Sequence, residues 1–395
     1  MMTNILTGAG VSAAAQVAII GGGPGGLTLA RLLQMKGVSV KVYERDAGPQ
    51  VRVQGATLDL HHESGLRALE AAGLLEAFKT HYRPGADHMR ITDLHGTILL
   101  DDHNDSIDST FGDEHFRPEI DRGPLRNLLL DSLAPGTVVW DSQITGLEAL
   151  DNGWLLQFRD GSPVYADLVI GADGANSKIR PHVTPIGPVY AGITVVEGTV
   201  YDAAQTTPFL HLLVNGGKVF ALGNGQSLIL SAKGDGSLSF YTGCRLAEDW
   251  VHSSGIDFKQ PAQVLAWFKE AFAGWDPVWQ TLLDNDKVSL VPRPQYCMPV
   301  DQHWEAKPNI TLLGDAAHVM PPYAGEGVNM AMLDALELSE CLTSSAFDTL
   351  QAAIAHYETN MRSRASVVAQ VTLDQTDALH REGALEYLLE MMNGH

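Results

Sequence analysis

Cysteine is nearly absent. Cys244, Cys297 and Cys341 are the only three in 395 residues, widely spaced and without a CxxC pair. So odd and scattered a set argues against a disulfide framework or a thiolate zinc site and fits a reducing, cytoplasmic setting. Basic residues are short as well: 26 Lys and Arg face 47 Asp and Glu, a formal net charge of -21. Nucleic acid and anionic membrane both require a basic face, so neither is expected as a partner. Any phosphate bound here must meet local donors. The chain has no uninterrupted 18-residue apolar run, no internal repeat and no low-complexity tract, which leaves a membrane span or a solenoid without support. Residues 1–15 lack a basic leader and read as a flexible extension. His61 and His62 are adjacent and point different ways, so no metal site is expected. Ser177 has no nucleophile-elbow context, which argues against serine hydrolase chemistry. With 45% hydrophobic residues the chain can bury a large core, as one large or two interleaved domains, and a monomer is expected.

What is present is glycine, in three clusters that each follow an apolar run. Gln16–Ile20 leads into Gly21-x-Gly23-x-x-Gly26 and the amphipathic stretch Leu27–Met35. This is the strand–turn–helix pattern that brings backbone N–H groups and a helix N-terminus to a pyrophosphate. Pro24 is tolerated at the helix entrance. A second strand, Val38–Tyr43, ends in Glu44, 23 residues after Gly21, close to the spacing of a carboxylate that receives ribose hydroxyls. Leu168–Ile170 leads into Gly171-Ala172-Asp173-Gly174, followed by Ser177 and Arg180. Ile310–Leu313 leads into Gly314-Asp315, after which Pro322, Gly325 and Gly327 open a helix. Glycines there let the backbone approach a large anionic cofactor, and the helix adds the positive end of its dipole.

Between these clusters the pattern changes. Met89–Leu100 is strand-like, residues 101–114 form an Asp-rich polar loop, and Leu125–Leu133 is helical. Thr137–Trp140 and Trp154–Arg159 read as strands flanking Asp160-Gly161. From Val189 to Tyr241, short β runs separated by Gly- and Asn-rich turns read as an antiparallel meander. Helical signals return at Gln260–Phe272 and again after residue 329 to about Met392. The expected fold class is α/β. A discontinuous Rossmann-like cofactor domain takes residues 16–78, 105–185 and 286–345, and an inserted, mostly antiparallel substrate sheet takes 79–104 and 186–285. A long C-terminal helix, within 346–395, bridges the two.

The three fingerprints, in this order, resemble the class A, single-component FAD-dependent aromatic hydroxylases. Within them the chain is similar to the tetracycline-inactivating flavin monooxygenases of the TetX type, through Val42–Asp46, Gly55–His61, Pro118–Ile120 with Arg122 and Arg126, and His318–Gly325. The resemblance implies bound FAD, with Asp315 near the ribityl chain, Arg122 and Arg126 near the phosphates or ring, and Glu44 on the adenosine ribose. Gly21, Gly23, Gly26, Arg45, Asp59, Asp173, Pro322, Gly325, Gly327 and Val328 complete the implied cofactor set. Arginine forks suit phosphate, although Arg122 and Arg126, four apart on a helix, also suit a solvated salt-bridging face. Asp173 and Arg180 likewise suit a helix cap and a surface cation. His318 is expected to brace the turn through a backbone hydrogen bond.

The resemblance further implies a monooxygenase: NADPH or NADH reduces the flavin, O2 is co-substrate, and a flavin C4a-hydroperoxide passes one oxygen to an electron-rich phenolic or enolic polycyclic substrate. The flavin carries the chemistry, so no acid–base residue is assigned. Tetracycline inactivation is the first reading. Glu197, Lys218 and Ser239 stand where the TetX group carries glutamine, arginine and histidine, so the polar recognition set differs, and Tyr323 is placed near the substrate by its position. A phenolic or polyketide-tailoring hydroxylase, and a flavin-bound sensor without catalysis, stay open as alternatives.

Overall fold

Two kinds of strand divide the chain. Val17–Ile20 and Leu168–Gly171 are buried at every position, as parallel strands covered on both faces must be. They form the middle of a five-stranded parallel sheet in the order Ile310–Leu312, Leu168–Gly171, Val17–Ile20, Val40–Tyr43, Val138–Val139. The helix Pro24–Met35 covers one face and buries Leu27, Leu29 and Leu33 completely, each worth about 2 kcal/mol of apolar transfer. Gly25 lets it approach the helix Gly327–Thr343, since a Cβ there would fall 2.7 Å from Leu313 Cδ1 and 2.9 Å from the Ala331 carbonyl oxygen. The computed structural model describes residues 16–51, 56–103 and 110–393. The expected extension at 1–15, Gly55 and part of the 101–114 loop lie outside them.

The second kind of strand turns its two faces to different layers. A seven-stranded sheet runs Val288–Cys297, Val189–Val200, Leu238–Arg245, Gln226–Ala232, Lys218–Gly223, Met89–Asp93, Ile98–Asp101. All its pairs are antiparallel except Lys218–Gly223 with Met89–Asp93, which is parallel. Val196, Val219, Ala221, Leu228, Leu230 and Phe240 point into an apolar layer beneath the helices Pro208–Val214 and Pro261–Ala271. Period-two geometry then sends Glu197, Lys218, Phe220, Ile229, Ser239 and Tyr241 to the opposite face.

Several expectations are corrected. Within the expected meander, Ala203–Thr206 and Pro208–Val214 are helical, because Pro208 opens a turn whose Leu210, Leu213 and Val214 bury together. Ile144–Leu150 is a further strand, paired with Gly153–Phe158 in a three-stranded sheet completed by Val164–Ala166. Val288–Cys297, placed by sequence with the cofactor domain, is an edge strand of the substrate-side sheet, held by the long strand Val189–Val200. The C-terminal segment is two helices, Leu350–Leu379 and Ala384–Asn393, separated at His380–Gly383, where Gly383 takes a φ of 79°. The first is tied to the parallel sheet: Tyr357 donates to the Leu312 carbonyl at 2.9 Å, and Glu358 accepts from Thr311 and Trp304 at 2.8 Å each. Its far end meets the substrate-side sheet through Arg245 and Ser227. Among the described residues no helix is long and apolar enough to cross a membrane.

Candidate active site

The first glycine turn separates packing glycines from an open one. Gly21 has a φ of 110°, and a Cβ there would lie 2.2 Å from the Ala172 carbonyl oxygen; at Gly26 a Cβ would lie 2.2 Å from that of Gly21. Nothing stands within 4 Å of a Cβ built on Gly23, the N-cap of the helix Pro24–Met35. The helix N-terminus thus faces free space where an anionic group can reach its N–H donors. Glu44 is buried beside it, accepting from the Gly22 N–H at 2.6 Å and the Asp46 N–H at 3.0 Å, so its carboxylate is locked in place. Arg45 is exposed.

Arg126 and Arg122 have different surroundings. Arg126 is 8% exposed, pairs through Nη2 with Asp46 at 2.9 Å and lies over the Trp140 ring. Among the described residues its Nε and Nη1 have no hydrogen-bond partner. Buried donors without acceptors cost about 1–3 kcal/mol each, and a phosphate or ribose oxygen would satisfy them. The site therefore fits a dinucleotide such as FAD. Arg122 is exposed to the crevice and donates from Nε to the Ala56 carbonyl at 3.2 Å.

The second and third fingerprints lock together. Asp173 is engaged within its own loop, accepting from Ser177 Oγ at 2.6 Å and the Lys178 N–H at 2.7 Å, and it caps no helix: the short helix Arg180–Val183 begins beyond these groups. Arg180 is no surface cation. It is buried and donates to the Ala316, Asp315 and Ala175 carbonyls at 2.7, 2.9 and 2.9 Å. That clamp presents the Asp315 carboxylate to the crevice, where it is solvent-accessible yet ringed by enough protein that desolvation raises its pKa against the pull of His318, Arg122 and Arg180. His318 braces the turn through a carboxylate and not the expected backbone bond. Its Nε2 is 2.5 Å from Asp334, which also accepts from the Gly314 N–H at 2.9 Å and from Arg364 at 2.6 Å. Burial works against the imidazolium, but the Asp334 carboxylate outweighs it and the His318 pKa is raised.

Past Pro322, Gly325 turns left-handed at a φ of 70°, and a Cβ on it would fall 3.1 Å from both Asp59 carboxylate oxygens. Asn329 clips this turn, donating to the Asp59 and Gly325 carbonyls at 2.9 and 3.2 Å and accepting from the His61 N–H at 2.9 Å. Gly327 and Val328 open the helix that carries it. The His61 ring lies between Asp59 at 3.0 Å and Glu326 at 3.5 Å; burial opposes its charge, but the two carboxylates raise its pKa to about 9. Neither His61 nor Asn329 figured in this role in the sequence reading. The usable signal was the spacing of Asp59 and His61, which puts both side chains on one side of an extended backbone.

Across the crevice, Lys218 forms an ion pair with the buried Glu119, and Glu197 forms one with Arg293. Tyr241 accepts the Ala56 N–H at 3.1 Å. Ser239 is 1% exposed, so it supports the sheet and does not line the crevice. Tyr323 is half-buried and reaches over the sheet at Gly243.

The FAD binding domain family matches residues 14–218 and 300–373, and the interval left out holds much of the substrate-side sheet. Among curated proteins the chain is similar to the monooxygenase asqM of Emericella nidulans, 29% identical over 90% of this chain and 94% of that one. It is also similar to the 6-hydroxynicotinate 3-monooxygenase of Pseudomonas fluorescens, 28% identical over 93% and 92%. Among solved structures, HpxO of Klebsiella pneumoniae in complex with FAD and uric acid has a TM-score of 0.73 at 21% identity, covering 96% of this chain and 92% of that one. The tetracycline destructase Tet(51) has a TM-score of 0.72 at 18% identity, covering 96% and 95%. At those identities the likeness is one of fold. The open helix terminus at Gly23 and the waiting donors of Arg126 lie inside the matched segments, so the chain belongs to the FAD binding domain family and is an FAD-dependent monooxygenase.

Proposed function

We propose that this chain hydroxylates an electron-rich phenolic or enolic ring compound, consuming NAD(P)H and O2, with tetracycline-type polycycles as the first candidates. FAD, when bound, supplies the oxygen activation. The chain's own residues hold and dry the reacting pair. One face of the substrate-side sheet carries this reading: Phe220, Ile229, Tyr241 and Glu197 stand in register across four strands, and Lys218 lies two residues along from Phe220. Phe220, Ile229 and Tyr241 are partly exposed and offer a flat apolar strip that excludes water from a bound ring. The Lys218–Glu119 and Glu197–Arg293 pairs border that strip, where they suit the hydroxyl or carboxyl substituents of a phenol. Asp315, Glu44 and Arg126 orient the cofactor, and no side chain is assigned as acid or base. The relative named for 6-hydroxynicotinate supports a hydroxylated ring as substrate.

FAD-loaded protein should be given NADPH or NADH with tetracycline, 6-hydroxynicotinate and simple phenols in turn, with products weighed by mass spectrometry. Substrate-stimulated oxidation with a gain of one oxygen atom is the expected result. Bound FAD whose slow reduction no ligand accelerates would favour the sensor reading.

A further inference from the structure

The long C-terminal helix turns Thr372, Thr376 and His380, each one turn apart, toward the cofactor loop. Thr372 Oγ1 donates to the Met320 sulfur at 3.7 Å, and the Thr376 carbonyl lies 2.7 Å from His380 Nδ1. A carbonyl can only accept, so the imidazole proton resides on Nδ1 and Nε2 is left as an acceptor. That Nε2 is 2.9 Å from Ser227 Oγ and 3.1 Å from the Tyr323 hydroxyl, and either hydroxyl can donate to its one lone pair. The two rings meet edge to face at 4.8 Å. Burial, with Arg245 nearby, pushes the His380 pKa down to about 4, which keeps it neutral.

The surroundings are shaped to this contact. A Cβ on Gly243 would fall 2.2 Å from His380 Nε2, 2.3 Å from Ser227 Oγ and 2.6 Å from the Tyr323 hydroxyl, so glycine leaves the room the cluster occupies. Arg245 pins the helix end, donating to the His380 carbonyl at 2.9 Å and to Asp377 at 2.5 Å. Tyr323 itself lies in the turn Pro322–Ala324, directly before Gly325 and Gly327.

We propose that His380 is a positioning residue for the flavin: by accepting the Tyr323 hydroxyl it holds the 320–327 loop against the substrate-side sheet, so that the C-terminal helix sets the shape of the cofactor site. This rests on the flavin assignment and is independent of which substrate is used. Four variants test it: His380→Ala, His380→Gln, Tyr323→Phe, and His380→Ala with Tyr323→Phe. The readouts are FAD dissociation constant by flavin fluorescence and the visible band of bound flavin, without substrate. His380→Ala and Tyr323→Phe should each weaken FAD binding about three- to tenfold, the worth of one buried neutral hydrogen bond. The double variant should be no weaker than either single one, and His380→Gln, which keeps an acceptor at the Nε2 position, should recover most of the loss. Additive losses, or no rescue by Gln, would overturn the proposal. If His380→Ala fails to fold, Tyr323→Phe decides alone, and an unchanged FAD affinity there refutes it.

Discussion

Raising the pH should undo the clasp that His61 makes over the cofactor turn. The imidazolium stands between Asp59 and Glu326 with 2% of its side chain exposed, against 22% and 25% for its partners. Its pKa rises from 6.5 to about 9, because the carboxylates outweigh the desolvation that opposes the charge. At 1.36 kcal/mol per unit this is worth about 3 kcal/mol, an upper figure given the long 3.5 Å contact to Glu326. The folded-state pKa is raised, so the contribution is complete below 6.5 and drains away as pH climbs to about 9. Urea unfolding of the wild type and His61→Gln, compared at about pH 6, 7.5 and 9.5, isolates it. His318 also has a raised pKa, but it is present in both proteins and cancels in the difference. The stability gap should be largest at the lowest pH and fall to a small residue at the highest. A gap that stays constant or widens with pH would show that His61 is not held as an imidazolium.

Gly21→Ala should abolish soluble protein, because its Cβ would meet a backbone oxygen at 2.2 Å, whereas Gly23→Ala should fold within about 1 kcal/mol of wild type and lose FAD affinity; thermal melts and flavin titration separate the two. Glu44→Ala strands the Gly22 and Asp46 N–H groups and removes the carboxylate proposed to receive the ribose, so FAD should bind about 10- to 100-fold more weakly by fluorescence titration. Lys218→Met leaves the buried Glu119 carboxylate without its cation and should cost about 3–5 kcal/mol in chemical unfolding, much of it regained when Glu119→Gln is added.

The glycine fingerprints were legible because each is a local device: an apolar strand, a turn only glycine can make, and a helix opening lie within about a dozen residues. Glu44 followed from the same logic, one strand further on. The helix Pro208–Val214 was misread because a short apolar run has no period long enough to tell strand from helix. Residues 286–345 fall with the cofactor domain by sequence, yet Val288–Cys297 pairs with a strand that begins about a hundred residues earlier, and a strand's own residues do not say whom it pairs with.

Sequence alone therefore settled the cofactor class and the architecture that presents it. Tertiary structure decided how the charges are used. Asp334 and not a backbone group holds His318, Glu119 neutralises Lys218, and His380 reaches Ser227 and Tyr323 from 153 and 57 residues away. Local spacing encodes turns and faces. Contacts between residues far apart in the chain depend on which surfaces pack together, and packing is decided by the apolar layers as a whole and not by any one motif.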